Sequence, residues 1–203
     1  MSAESISLTG KILGAMLFYP PHSEQVQPVI ALLQDSDWMP MWPCATPEAK
    51  ARAAELFAQL DASAEDLNDA WQRLFVGPYA LPAPPWGSVY LDKESVIFGD
   101  STLALRQWMR VNHIEPHLTQ AEPEDHIGLM LMMSAWLAEN APQQLGEFLT
   151  AHLLPWAGRY FELLGIKAEH PWYEGVAVLA ESTLNGWRQA LALEMPAARE
   201  LYF

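Results

Sequence analysis

Positively charged residues are scarce in this sequence. Lysine and arginine together number 11 against 25 aspartates and glutamates, which gives a formal net charge of −14 at pH 7. Nucleic acids and anionic membrane surfaces both require a positive protein face, so we expect neither as a partner. The field of the whole molecule favours a cationic partner instead, although an acidic surface also serves simple solubility.

Cysteine is nearly absent, since Cys44 is the single one. It can form no internal disulfide and has no second thiol for a zinc or redox motif. The first residues lack the basic segment of a signal peptide, and the longest apolar run, 127–138, is too short to span a bilayer. The chain has no Arg-Arg pair, so it carries no twin-arginine export signal of its own. We expect a soluble, cytoplasmic protein.

The sequence also lacks the common motifs of catalytic, phosphate-binding and metal sites. It contains no G-x-x-x-x-G-K-[ST] loop, no H-E-x-x-H, no G-x-S-x-G elbow and no Glu-x-x-His of the di-iron bundles. Of the histidines, only His113 and His117 are four apart, and they lie in a polar segment flanked by proline. We therefore expect neither an enzyme nor a bound cofactor or metal.

What is present is a large apolar fraction arranged at helical spacing. Hydrophobic residues make up 51% of the chain, and the apolar positions recur at intervals of three and four. This pattern predicts an all-α single domain over residues 1–203, with roughly eight to ten helices. We place the helices at residues 7–19, 23–33, 46–60, 64–75, 100–110, 124–140, 143–164 and 171–193. Ser23, Thr46 and Asp100 are the expected N-caps, and Gly77-Pro78 ends the fourth helix. The segment 143–164 is one helix or a pair, with a kink or break at Pro155, and residues 38–43 and 88–98 are linker and loop.

The helix predicted at 124–140 is apolar on nearly every face, which places it in the middle of the bundle. Three acids, Glu122, Glu124 and Asp125, stand at its beginning beside His126. Acids at a helix N-terminus can cap free N–H groups, or they can bind a ligand, and the sequence leaves both roles open. Adjacent helical residues point about 100° apart, so Asp125 and His126 do not face one substrate atom together.

A second set of candidate residues is aromatic. Trp71, Leu74 and Phe75 form an apolar stripe, which more often belongs to a core than to a binding groove. Trp86 follows Pro85 in a stiff, proline-rich loop, so we expect its side chain to be half exposed and to take part in ligand binding. Packing of Trp86 onto Trp71 is the structural alternative.

Three motifs stand out along the chain: Trp71-x-x-Leu74-Phe75-x-Gly77-Pro78, Ala83-Pro84-Pro85-Trp86-x-Ser88-Val89-Tyr90 and Glu122-Pro123-x-Asp125-His126. Together they resemble the TorD/DmsD family of redox enzyme maturation chaperones, and the branch that serves dimethyl sulfoxide reductase in particular. The resemblance covers nearly the whole chain, including residues 98–102 and 108–110.

The resemblance implies a helical, cytoplasmic, non-catalytic protein without a cofactor. It would bind the twin-arginine leader of the dimethyl sulfoxide reductase catalytic subunit and hold back export until the molybdopterin cofactor is inserted. It also implies a monomer that can contact the twin-arginine translocase and the molybdenum cofactor machinery. The leader-binding residues of the family correspond here to Trp71, Leu74, Phe75, Pro85, Trp86, Asp125 and His126. Gly87 departs from the glutamate that other branches often carry.

The chemistry of such a leader, cationic first and then apolar, fits these residues. Arginine pairs bidentately with carboxylates, so Asp125 is our candidate for arginine selectivity, with Glu122 and Glu124 beside it. Trp86 and Leu74 are candidates for apolar affinity within an aromatic groove. Two other functions stay open: an adaptor that binds a folded partner, and an acid–base hydrolase that uses Asp125 and His126.

Overall fold

The computed structural model describes residues 3–115, 121–197 and 199–203, and in these ranges it contains no β-strand. His117 of the predicted polar connection lies outside them. The all-α prediction of roughly eight to ten helices is confirmed. The α-helices found in the described ranges are α1 (Ala3–Phe18), α2 (Gln27–Gln34), α3 (Pro47–Phe57), α4 (Leu67–Trp71), α5 (Gly87–Leu91), α6 (Asp100–Val111), α7 (Ile127–Asn140), α8 (Pro142–Phe148), α9 (Leu154–Lys167) and α10 (Pro171–Ala190). Two 3-10 helices (Ser36–Met41 and Leu60–Ala62) and two π-helices (Gln72–Val76 and Leu149–Leu153) complete the set.

Helix α7 is buried over most of its surface, as its apolar sequence predicts, but Trp136 on one face is 44% exposed. Its most extensive partner is α1, and glycines allow the two backbones to approach closely. A Cβ on Gly14 would lie 2.7 Å from the carbonyl oxygen of Gly128, and one on Gly128 would lie 2.8 Å from the Cβ of Phe18. Larger residues at either position would therefore push the two helices apart.

Helix α10 organises the other half of the core, where it packs on α3 and α9. Four tryptophans, Trp38, Trp156, Trp172 and Trp187, are almost completely buried in the same hydrophobic cluster. Trp42 and Trp108 are buried as well, so six of the nine tryptophans belong to the core. None of the described helices is long and apolar enough to cross a membrane.

Several predicted helix ends were wrong. Helix α2 begins at Gln27 and has no side-chain cap, so Ser23 is not its N-cap. Helix α7 begins at Ile127 instead of residue 124, and its N-cap is His126. Helix α6 has Gly99 at its N-cap position, where we expected Asp100; the Asp92 carboxylate accepts a hydrogen bond from Ser101 N. A cap supplied by a more distant residue leaves no local sequence signal.

Two segments also differ in the kind of structure they form. The segment 88–98, expected to be loop throughout, includes most of the short helix α5, and the linker 38–43 includes part of a 3-10 helix with Pro40 inside it. The predicted helix 64–75 consists of α4 and a π-helix, and the predicted helix 143–164 is the pair α8 and α9 joined by a second π-helix. The interruption that we expected at Pro155 is therefore a π-helical turn, Leu149–Leu153, that ends just before this proline.

Candidate functional site

Two short backbone contacts bring the predicted loop and helix motifs together. The amide of Ile127 donates to the carbonyl of Pro85 at 2.7 Å, and the amide of Gly87 donates to the carbonyl of Asp125 at 3.1 Å. Trp86 and His126 thereby form an isolated antiparallel bridge. The proline-rich loop and the start of α7 are fixed to each other by the backbone, which places Trp86 beside the acids.

Asp125 is a buried carboxylate, only 3% exposed, that holds three helices together. Its Oδ2 accepts from the amide of Ser88 at 2.7 Å, at the start of α5, and from the hydroxyl of Thr102 at 3.0 Å, in α6. Burial raises the pKa of Asp125, although these two donors act against that rise. Asp125 therefore caps a neighbouring helix, and one of its oxygens is already occupied.

His126 is buried and neutral. Its Nδ1 accepts from the amide of Gly128 at 3.1 Å, which caps α7, so the proton of the neutral ring lies on Nε2. Burial lowers the pKa of His126 to about 3. The ring stands edge-on to Phe18 and Trp86, with centroids 5.3 and 6.2 Å away. A weakly basic ring with one nitrogen engaged is a poor general base, so this geometry gives the hydrolase alternative no support.

Trp86 is partly exposed, as the sequence predicts, and its ring partner is His126. The indole Nε1 donates to Oε1 of Glu122 at 2.5 Å, so the ring is held from both its face and its polar edge. Desolvation raises the pKa of the Glu122 carboxyl, and the indole hydrogen bond opposes that rise. Trp86 is thus a preorganised apolar surface with a carboxylate at its edge.

The negative charge of the third acid, Glu124, is balanced by an ion pair with Arg106. Its Oε2 accepts from Nε of Arg106 at 2.7 Å, and Arg106 lies over the ring of Phe98 at 5.1 Å from the centroid. Within the described ranges, Glu122 has no such ion pair and no donor contacts its Oε2. Of the three predicted acids, Glu122 is therefore the one best placed to accept a new cation.

The aromatic stripe is divided between the core and the surface. Leu74 is 1% exposed and Phe75 is buried against Tyr173, with a centroid distance of 5.3 Å. Trp71 is partly exposed and stacks on Phe75 at 4.4 Å. Beyond the π-helix, Tyr79 is 85% exposed. Trp71 and Tyr79 can therefore contact a ligand directly, whereas Leu74 supports the surface from below.

Sequence reasoning missed the residues that build this site from a distance. Ser88 and Thr102 hold Asp125, and Phe18 at the end of α1 packs on His126. Thr102 falls in a segment that only the family resemblance singled out. Phe18 was visible as an apolar helical residue, but no local pattern connects it with a histidine so far along the chain.

Similarity to known proteins identifies the family of this chain. A family model described as the nitrate reductase delta subunit matches residues 43–162. A protein named Tat proofreading chaperone DmsD, from Salmonella typhimurium strain LT2, is 47% identical over 194 residues, covering 95% of this chain and 94% of that protein. The chain belongs to the TorD/DmsD family. The resemblance found in the sequence motifs is thereby confirmed.

Other members of the TorD/DmsD family show how far the similarity extends. A probable Tat proofreading chaperone DmsD from Haemophilus influenzae is 38% identical over 97% of this chain and 96% of its own length. The chaperone protein YcdY of Escherichia coli K12 is 22% identical over 88% of this chain and 91% of its own length. All three relatives are named as chaperones, so the family to which this chain belongs is one of chaperones.

Proposed function

We propose that this protein is a cytoplasmic proofreading chaperone for twin-arginine export. It binds the twin-arginine leader of a molybdoenzyme catalytic subunit, of the dimethyl sulfoxide reductase type, and delays export until the cofactor is inserted and the enzyme has folded. The observation that carries this proposal is the 47% identity over 95% of the chain to a protein named as such a chaperone. Contacts with the translocase and with the molybdenum cofactor machinery, and a monomeric state, are part of the same proposal.

The leader-binding surface that we propose includes three accessible side chains, the partly exposed Trp86 and Trp71 and the exposed Tyr79. A tryptophan fixed by a hydrogen bond and a ring contact loses little conformational freedom when it binds, so its apolar area contributes efficiently to affinity. The apolar part of a leader would lie on this face. Leu74 and Phe75 keep the face rigid, and Pro85 and His126 set the position of Trp86.

The carboxylate that receives an arginine of the leader is, in this proposal, that of Glu122. Its Oε1 already accepts from Trp86, and no donor in the part of the chain that the structure describes contacts its Oε2. An arriving guanidinium would form a charge-assisted hydrogen bond at the edge of the apolar face, which couples recognition of charge to recognition of apolar surface. The net charge of −14 would attract the cationic leader from a distance.

The test is leader affinity in Glu122→Gln, measured by calorimetry. Glutamine keeps an oxygen for the Trp86 indole but removes the charge, so we expect the affinity to fall about tenfold, as for the loss of one charge-assisted hydrogen bond. Glu139→Gln is the matched control, because Glu139 is a surface acid paired with Lys11. If Glu122→Gln binds the leader as wild type does, Glu122 is not the arginine acceptor. If wild type binds no leader at all, the adaptor function gains support.

A further inference from the structure

The outer side of α1 is apolar, which is unusual for a helix at the surface. From residue 8 to residue 19, the partly or fully exposed positions are 8, 11, 12, 15, 18 and 19, and this spacing places them on one face. Five of the six carry apolar side chains: Leu8, Ile12, Ala15, Phe18 and Tyr19. The outward face of a surface helix is normally polar, so a continuous apolar stripe in this place indicates a contact surface.

Helix α7 adds a second accessible stripe in its C-terminal half. Its partly or fully exposed positions there are Met132, Met133, Trp136, Glu139 and Asn140. Trp136 is 44% exposed, which makes it the most exposed of the nine tryptophans. Methionine and tryptophan side chains provide adaptable apolar area for binding.

The two stripes adjoin and form one surface. The helices run antiparallel, since Gly10 lies beside Ala135 and Gly14 beside Gly128. At one end, exposed Lys11 and exposed Glu139 form an ion pair with an N–O distance of 2.5 Å, which joins the accessible side of α1 to that of α7. In the middle, a Cβ on Gly14 would lie 2.6 Å from Cγ of Met132, so this side chain lies directly on α1. We call this surface the α1/α7 face; its apolar members are Leu8, Ile12, Ala15, Tyr19, Met132 and Trp136.

A row of rings connects the α1/α7 face with Trp86. The ring centroids of Tyr19 and Phe18 are 5.0 Å apart, those of Phe18 and His126 are 5.3 Å apart, and those of His126 and Trp86 are 6.2 Å apart. The carboxylate of Glu122 lies at the far edge of Trp86, where it accepts from the indole. A peptide whose arginine is bound at Glu122 can therefore continue over Trp86 and the end of α1 without crossing a charged group of this row.

The charge and length of the α1/α7 face select its occupant. Its charged pair, Lys11 and Glu139, is mutually neutralised, so the face suits an uncharged apolar segment. A second copy of this chain is disfavoured, because two bodies with a net charge of −14 repel each other. The distance along α1 from Leu8 to Tyr19 is about 17 Å, which is the length of about 11 helical residues. The apolar segment of an export signal has about 7–15 residues, so it matches the face in length as well as in polarity.

Resting on the proposed function, we propose that the apolar segment of the leader continues from Trp86 along the α1/α7 face, and that Trp136 binds its far end. Trp86, Trp71 and Tyr79 then receive the residues nearest the arginine pair. The α1/α7 face receives those that follow. Affinity would depend on the length of the apolar segment as well as on the arginines, because the two parts of the leader bind to different parts of one continuous surface.

The position of the leader is tested by photo-crosslinking to the full chain. One synthetic twin-arginine leader carries a benzophenone side chain at the end of its apolar segment, and a second carries it next to the arginines. The label is located by mass spectrometry of protein fragments, with excess unlabelled leader as competitor. We expect the first probe to label residues 3–19 and 127–140. Competable labelling by the first probe at any other place would overturn the inference while the proposed function stands. Absence of competable labelling by both probes would mean that the proposed function itself fails.

The contribution of the face is tested with Trp136→Gln in a calorimetric titration with the unmodified leader. Glutamine suits an exposed helical position and removes the apolar ring, so we expect the affinity to fall about tenfold. Ile166→Gln is the matched control, because Ile166 is an apolar residue of α9 that is 64% exposed; it should bind as wild type does. Wild-type affinity in Trp136→Gln, or equal weakening in both variants, would overturn the role of Trp136.

Discussion

Replacement of His126 by asparagine should remove a large part of the acid sensitivity of this protein. In the folded state His126 Nδ1 caps α7, and burial lowers its pKa to about 3 from 6.5. Asparagine is one of the best N-cap residues and offers an acceptor for the same amide, but it does not titrate. His126→Asn therefore separates the capping role of the residue from its protonation.

The magnitude follows from the two pKa values of His126. Between pH 6.5 and 3 the unfolded chain binds a proton that the folded chain excludes, so the stabilisation is fully present above pH 6.5 and is lost as pH falls towards 3. At pH 5 the loss amounts to about 2 kcal/mol relative to pH 7. Burial also lowers the pKa of His170 and His152, which adds to the slope, whereas the raised pKa of Asp125 acts in the opposite direction.

The assay is urea unfolding at pH 7 and pH 5, followed by tryptophan fluorescence, in wild type, His126→Asn and His22→Asn. His22 is an exposed histidine and serves as the matched control. We expect the difference in the free energy of unfolding between pH 7 and pH 5 to be smaller by about 2 kcal/mol in His126→Asn alone. If His126→Asn shows the same difference as wild type, the assignment of a buried, neutral imidazole at this position is refuted.

Three further predictions concern the same site and its support. Thr102→Val keeps the side-chain shape but removes a donor to buried Asp125, so the free energy of unfolding in urea should fall by about 1–3 kcal/mol. An unchanged free energy would contradict the role of Thr102 in holding Asp125. Gly128→Ala places a Cβ 2.8 Å from that of Phe18, so the free energy of unfolding should fall by about 1–3 kcal/mol, which a lower melting temperature would show. Leader affinity should rise with pH from 4 to 7, because desolvation raises the pKa of Glu122 and binding favours the ionised form; Glu122→Gln should flatten this dependence.

The parts of the fold that sequence reasoning predicted are those with strong local signals. Helix α3 begins as predicted, with Thr46 Oγ1 accepting from the amide of Ala49 at 3.2 Å and Pro47 at the first helical position. The helix that ends near residue 75 stops at Gly77, whose φ of 101° suits glycine. The burial of most of α7 followed from its composition, although the exposed Trp136 did not.

The parts that were missed depend on contacts between distant segments. Helix α5 has only five residues and receives its cap from Asp125, so nothing in its own sequence marks its start. Asp125 itself looked like a surface acid at the beginning of its own helix, and only the fold shows that it is buried beneath another one. The π turn at Gln72–Val76 has no sequence signal of its own, so the sequence indicated one continuous helix at 64–75.

Recognition of the arginine pair of a twin-arginine leader is what we propose for this protein. It can be tested by calorimetric titration with a synthetic dimethyl sulfoxide reductase leader, and with the same peptide in which both arginines are changed to alanine. We expect tight binding of the first peptide and a loss of at least about tenfold in affinity for the second, since charge-assisted contacts to the arginines are removed. Equal affinity for the two peptides, or no binding of either, would contradict it.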